Sequence, residues 1–299
     1  MNNEVRKVFF IINKFSGTGY RPALEASILE AGKTVSAQSE LAFTERPGHA
    51  TTLAQRAVAA GFDSVVAVGG DGTVNEVAKG LLFSEAKMGI IPKGSGNGLA
   101  RHLGIPLNAN AAVKCLFTGK VVTMDTFRIN GKLSVNVSGI GFDGYIANLF
   151  GMDKRRGLQA YTKLVLHEFR QFPEFEAIIT VGPNQMKKSA FVIAIANSSQ
   201  YGNNARIAPS ASVCDEILNV SVLKKIPPYR LDFIYSFFSG TIDQSAYCET
   251  FPIRDAIVEL PSAMDFHIDG EFAGKADRFT IELQPASLKV LAPCEGQSF

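Results

Sequence analysis

The chain has 299 residues, of which 46% are apolar and 19% charged, with a net charge of +2. That balance describes a folded globular protein and argues against nucleic-acid binding through bulk electrostatics. Cys115, Cys214, Cys248 and Cys294 form no CxxC pair, which argues against zinc and a disulfide framework and fits a reducing cytosol. The length favours two domains. The apolar run Lys7 to Ile12 is too short for a signal-peptide core. No uncharged run approaches the roughly 20 residues of a spanning helix, so any meeting with a membrane is expected at its surface.

In chain order, Val8 to Ile12 reads as a strand, followed by the turn Asn13-Lys14-Phe15-Ser16-Gly17 and a helix near Pro22 to Ala31. Leu41 to Phe43 reads as a second strand and Thr51 to Ala60 as a helix closed by Gly61. Val65 to Val68 and Met88 to Ile91 have the apolar, β-branched character of buried parallel strands, and each feeds a glycine turn. This alternation predicts a doubly wound, Rossmann-like α/β domain over residues 1–125.

The rhythm changes near Asp125. Phe127 to Leu133 reads as a hairpin around Asn130-Gly131. Further strands are expected at Ala177 to Val181, Ala190 to Ala196, Leu218 to Leu223, Ile257 to Leu260 and Phe279 to Leu283. Helical segments interrupt them at Leu158 to Phe169 and Leu231 to Phe238. Short strands with turn signals predict an antiparallel, β-sandwich-like domain over 126–285, from which a tail of about 286–299 can return to the first domain.

The segment Gly69-Gly70-Asp71-Gly72-Thr73-Val74-Asn75-Glu76-Val77 places a glycine turn between a strand and a helix. Free backbone N–H groups and the helix dipole make such a junction receptive to anions, and glycines let a phosphate approach closely. Thr73 and Glu76 have capping-box spacing, which an ordinary strand-to-helix turn would explain equally well. Asp71 is not explained that way, since a carboxylate repels phosphate unless a divalent cation lies between them. A second turn, Pro92-Lys93-Gly94-Ser95-Gly96-Asn97-Gly98, offers Ser95 or Asn97 as the cap of the next helix. With the Asn13 to Gly17 turn, three such turns could touch one polyphosphate.

The ordered set Asn13…Ser16-Gly17, Thr44…Gly48-His49-Ala50, Gly69-Gly70-Asp71-Gly72-Thr73 and Gly94-Ser95-Gly96-Asn97 resembles the bacterial diacylglycerol kinase-like lipid kinases. Asn136…Gly139-Ile140-Gly141-Phe142-Asp143, Ala208-Pro209, Asp215 to Val220 and Asp269-Gly270-Glu271 are similar to later motifs of the same family. The resemblance implies ATP contacts from Asn13, Lys14, Phe15, Ser16, Gly17, Thr44, Gly69, Gly70, Asp71, Gly72, Thr73, Val74, Asn75 and Ser95. It implies Glu271 as general base, with Asp71 positioning Mg²⁺ or sharing that role. It also implies a structural Mg²⁺ at Asp215, with main-chain oxygens of Ser212 and Ile217. The sequence departs from the family at Lys14, Ser95, Gly98, Glu216 and Asn219, the last two within the implied metal segment.

The expected protein is an ATP-dependent lipid kinase acting on diacylglycerol or a related lipid, with its active site in the cleft between the domains. It is expected in the cytoplasm, peripherally associated with the inner membrane face, with a homodimer admitted. Leu158, Tyr161, Leu164 and Leu166, accompanied by Lys154, Arg155, Arg156, Lys163 and Arg170, could lie on an anionic surface. Leu231, Phe233, Ile234, Phe237 and Phe238 form a denser apolar stretch, and burial against the second domain's sheet is the plainer expectation for both. Two other readings compete: an NAD kinase-like enzyme, since that family also carries GGDGT, and a non-catalytic nucleotide- or lipid-binding regulator.

Overall fold

The computed structural model describes residues 6–17, 22–34, 36–152, 158–227 and 229–294, with backbone alone at 152, 158–162, 231 and 234. The chain divides into two compact units, Met1–Met124 with Ala286–Phe299, and Asp125–Pro285.

The first unit is built on β1 (Lys7–Ile12), α1 (Pro22–Thr34), β2 (Gln38–Phe43), α2 (His49–Ala59), β3 (Ser64–Gly69), α3 (Asp71–Leu81), β4 (Lys87–Pro92), α4 (Gly98–His102) and α5 (Ala109–Thr118). β1 pairs in parallel with both β2 and β3, and β3 in parallel with β4. β3 and β4 are buried beyond their first residues, because helices cover both sheet faces. α1 packs with α5 and α2 with α3, the grouping that right-handed crossovers impose on opposite faces. The order β2-β1-β3-β4 reverses between β1 and β3. In open sheets of this kind, ligands bind outside the carboxyl ends of the strands at that reversal. Those ends are Asn13 and Gly69, so topology and the glycine turns indicate the same place.

The second unit contains β5 (Lys120–Ile129), β6 (Lys132–Ser134), β7 (Val137–Gly141), α6 (Phe142–Met152), α7 (Leu158–Glu168), β8 (Phe175–Val181), β9 (Asn184–Ala190), β10 (Val192–Ala196), β11 (Gln200–Gly202), β12 (Ala205–Arg206), β13 (Leu218–Leu223), α8 (Leu231–Ser239), β14 (Cys248–Ile253), β15 (Asp255–Ile268) and β16 (Glu271–Ala292). β5 and β16 also give residues to the first unit, where Val290 pairs in parallel with Met88. Antiparallel pairing runs β14-β13-β10-β7-β15-β16, and β8 joins β15 to β9. β15 pairs with β8 through Ile257–Glu259 and with β7 through Phe266 and His267, shifting register in between. One strand thereby serves both layers of a sandwich.

β10 shows why its sequence, Val192-Ile193-Ala194-Ile195-Ala196, lacks alternation. Ile193 and Ile195 enter one core with Phe127, Ile140, Val220 and Phe279. Val192, Ala194 and Ala196 enter another with Phe142, Ile146 and Phe233. Both faces are covered, so apolar residues are needed at every position.

The fold class agrees with the sequence reading, while several elements differ. The run Ala190 to Ala196 is split at Phe191 between β9 and β10, and β15 and β16 extend well beyond their apolar centres. α6 and β14 are additional. In α7, Leu164 and Val165 pack against the core while Leu166 is 65% exposed. In α8, Phe233 is buried and Phe237 packs beside it, whereas Tyr235 and Phe238 are 72% and 56% exposed. Complete burial is therefore not the outcome for either helix. Lys154, Arg155 and Arg156 lie outside the described residues.

Candidate functional site

Three turns of the first unit converge. The Asn13 side chain ties the first to α3: its Nδ2 donates to Thr73 Oγ1 at 3.1 Å, and its Oδ1 accepts from the Phe15 N–H at 3.0 Å. Lys14 places its ammonium 3.8 Å from the centre of the Phe43 ring, at the end of β2 just before Thr44. Gly17, at φ +67°, lies so close to Lys93 that a Cβ would fall 1.8 Å from the Lys93 carbonyl oxygen. A Cβ on Gly70 would stand 3.1 Å from Gly94 Cα and 3.2 Å from Ser16 Oγ, and one on Gly94 would stand 2.7 Å from Gly70 Cα. The glycines are needed because backbone packs directly on backbone at the strand ends. Ser95 is exposed and Asn75 half-buried; Val74 is buried, with its N–H bonded to the Gly70 carbonyl.

The caps differ from the expected ones. Gly70 starts α3 without a side-chain cap, and Thr73 turns instead to Asn13, packing over Gly69. Glu76 leaves its own helix and accepts from the Gly48 and Ala50 N–H groups, at 2.7 and 3.0 Å. It therefore caps α2, the helix packed beside α3, and tertiary packing overrides the local capping-box spacing. At the second glycine turn Asn97 holds the N-cap position of α4, but its side chain makes no capping hydrogen bond. Asn97 adopts φ 52° and folds its amide onto Gly94, donating to the carbonyl and accepting from the N–H, each at 2.8 Å. The side-chain acceptors at the start of α4 come from Asp71: its Oδ2 accepts from the Asn97 N–H at 2.9 Å and its Oδ1 from the Gly98 N–H at 2.8 Å. The acid that looked misplaced among glycines thus locks the first-unit turns together. With both oxygens receiving N–H groups, its contact with a hydrated cation would run through water more readily than by direct ligation.

In the second unit, Asp269 and Gly270 have φ of 49° and 88° and connect Ile268 to its register partner Glu271. This is a two-residue hairpin turn with both central residues left-handed. Asp269 is buried and receives Ser134 Oγ at 2.6 Å, the Asn136 N–H at 2.9 Å and the Val135 N–H at 3.0 Å. Glu271 is exposed at the head of β16. An amide cannot receive all three donors, so Asp269→Asn should lower unfolding stability by roughly 2–4 kcal/mol. Urea denaturation would measure it, and a shift below about 0.5 kcal/mol would show that the anchor is weak.

Asp215 lies in an exposed loop, its Oδ1 accepting from the Ile217 N–H at 3.1 Å. Partial burial raises the Asp215 carboxyl above its ordinary pKa; the Ile217 N–H opposes that and the Asp125 carboxylate adds to it. Glu216 takes φ 60° where the family motif has glycine, pairs with Arg254 at 3.0 Å, and donates its N–H to Asp125 Oδ2 at 2.8 Å. Among the described residues no group of three or more His, Cys, Asp or Glu side chains is placed to hold a metal ion. An ion at Asp215 would rest on one carboxylate and on carbonyl oxygens such as those of Ser212 and Ile217, donors hard enough for Mg²⁺.

Sequence reasoning missed Asp125 as an anchor of this loop, and it missed His267. The signal for His267 was its place two residues before a turn acid, on a strand whose inward positions are apolar.

Residues 7–129 match the diacylglycerol kinase catalytic domain, and residues 136–292 match the YegS C-terminal NAD kinase beta sandwich-like domain. A relative from Pseudomonas aeruginosa named "Probable lipid kinase YegS-like" is 29% identical over 293 residues, covering 96% of this chain and 94% of its own. One of the same name from Pectobacterium atrosepticum is 29% identical over 255 residues, covering 82% and 83%. The fold resembles the crystal structure of a diacylglycerol kinase from Bacillus anthracis, with TM-score 0.75, 21% identity and 97% of each chain covered.

Proposed function

The chain belongs to the diacylglycerol kinase-like lipid kinases, phosphotransferases with an alcohol acceptor, and we propose that it moves the γ-phosphoryl group of ATP onto a hydroxyl of diacylglycerol or a related lipid. The observation that carries this reading is the backbone-on-backbone approach of Gly70 and Gly94, beside Ser16: Ser16 and Gly70 follow β1 and β3, the strands on either side of the topological reversal, and Gly94 follows the neighbouring β4. Glycine turns at the carboxyl ends of parallel strands, with no Cβ in the way, are where polyphosphates bind in sheets of this kind. The donor nucleotide is held by Asn13, Lys14, Phe15, Ser16 and Gly17, by Thr44, by Gly69 to Asn75 and by Ser95. Lys14 adds a cation near the phosphates, and Ser16 and Ser95 add hydroxyl donors.

Mg²⁺ carried with the nucleotide supplies charge neutralisation at the transferring group. Asp71 holds the second glycine turn in place and would act on that ion through its water. Glu271 takes the proton from the acceptor hydroxyl, which is a poor nucleophile while protonated. Asp215, with carbonyl oxygens of Ser212 and Ile217, would hold a structural Mg²⁺. Among the described residues no helix is long and apolar enough to cross a membrane. The reading includes a cytoplasmic protein that touches the inner membrane face, and the exposed Tyr235 and Phe238 of α8 supply an aromatic surface for that contact.

The test is to incubate the purified chain with γ-labelled ATP, Mg²⁺ and a total lipid extract, and to identify the labelled product. A phosphorylated diacylglycerol or related lipid is expected. Label appearing in NADP when NAD is supplied, with none in lipid, would overturn the proposal.

A further inference from the structure

His267 is 3% exposed and is given no part in the chemistry proposed above. Its ring nevertheless bridges two elements. Nδ1 faces the Gly270 N–H at 3.1 Å, and Nε2 faces Asp143 Oδ2 at 3.1 Å. A backbone N–H can only donate, so Nδ1 is the unprotonated nitrogen and the ring proton sits on Nε2, directed at a carboxylate. Asp143 is also held on its other sides: Tyr201 Oη donates to the same Oδ2 at 3.0 Å, and the Gly144 N–H donates to Oδ1 at 2.8 Å.

The glycines around Asp143 make this contact fit. A Cβ on Gly139 would stand 1.8 Å from Asp143 Oδ2, and one on Gly144 would stand 2.4 Å from the Asp265 carbonyl oxygen. The first glycine leaves space for the carboxylate; the second lets α6 lie against the backbone of β15. The motif Gly139-Ile140-Gly141-Phe142-Asp143-Gly144 is thus built to deliver one carboxylate to His267.

On the other side of the ring, Gly270 is the second residue of the two-residue turn that precedes Glu271. Asp269 anchors the first turn residue, as described above, and His267 anchors the second. Beyond the turn, the register of β15 and β16 slips between Phe266 and His267, and Gly274 adopts φ 125°. Between the turn and that irregularity the head of β16 is held by a short ladder, Ile268 with Glu271 and His267 with Phe272. The side-chain clamps on Asp269 and Gly270 add to that short ladder.

Resting on the reading of Glu271 as the base, we infer that His267 is a positioning residue for the phosphoryl transfer: Asp143 fixes its tautomer, and the tautomer holds Gly270 and so aims Glu271. The two halves of the ring can be replaced separately. In His267→Asn the amide oxygen takes the place of Nδ1 and keeps the Gly270 contact. In His267→Gln the amide nitrogen takes the place of Nε2 and keeps only the Asp143 contact. Asp143→Asn presents an N–H to Nε2, favours the opposite tautomer, and turns a ring N–H against the Gly270 N–H.

The test combines ¹⁵N NMR of the ring nitrogens, assignable in a chain with four histidines, with steady-state kinetics of the full-length protein. The wild type should show the Nε2–H tautomer. His267→Gln and Asp143→Asn should lose about 10- to 100-fold in kcat with KM for ATP unchanged, while His267→Asn stays within about threefold of the wild type. An Nδ1–H tautomer in the wild type would overturn the inference. So would equal losses in His267→Asn and His267→Gln, which indicate packing alone. Glu271→Gln is run in parallel. Should it turn over normally, the base assignment fails, while the wild-type tautomer and the Gly270 amide shift in His267→Gln still decide whether the clamp exists.

Discussion

Glu271→Gln is expected to lower kcat for lipid phosphorylation by about 10²–10⁴ and to leave the affinity for ATP unchanged within about twofold. The substitution isolates one property, because glutamine keeps the shape and length of the side chain and loses only its capacity to take a proton. Glu271 is exposed at the head of β16. An exposed residue of merely structural role would tolerate the change within about 0.5 kcal/mol of stability. A large kinetic loss in a stably folded variant would therefore report chemistry. The turns proposed to hold the nucleotide all belong to the first structural unit, so they have no local reason to respond to the change. Normal turnover by this variant would remove Glu271 from the reaction and leave the phosphate cradle standing.

Much of the architecture is legible in the chain because buried parallel strands and glycine turns leave local traces. Val65 to Val68 followed by Gly69-Gly70 can hardly be anything but a strand end, and Asn130-Gly131 does form a hairpin turn with both residues at positive φ. The illegible parts have physical causes too. β9, Asn184–Ala190, is a polar strand paired only to β8 and carries Lys187 and Lys188, so no apolar period betrays it. α6 contains two glycines and follows a third, and a turn is the natural local reading.

Among the candidate site residues, proximity to a glycine turn was readable while partnership was not. Glu76 satisfies a capping-box spacing with Thr73 and yet caps a neighbouring helix, because α2 and α3 pack side by side. His267 and Asp143 are 124 positions apart, and nothing short of the fold brings them together.

Asp71 shows how a structural and a chemical role can be separated in a single residue. Asp71→Ala removes the acceptors of the Asn97 and Gly98 N–H groups. Two helix-start donors then lose a charged partner, at a cost of roughly 1–3 kcal/mol. The turn Gly94 to Gly98 loosens, and ATP affinity should fall with it. Asp71→Asn keeps one acceptor oxygen but directs an NH₂ group at the other N–H, so part of the structural loss remains. The negative charge disappears in both variants. If Asp71 only caps α4, the asparagine variant should recover much of the ATP affinity and a matching share of turnover. If it also orients the water of the nucleotide's Mg²⁺, kcat should stay about 10²-fold down in both variants, with a raised Mg²⁺ requirement that extra ATP does not correct. The second outcome is expected, because the amide keeps one of the two capping contacts while losing the charge, and the family motif's acid lies where repulsion of phosphate makes sense only with a cation between them. Calorimetric ATP titration, thermal denaturation and Mg²⁺-dependent kinetics on both variants would decide it. Recovery of kcat together with affinity in Asp71→Asn would confine Asp71 to the cap.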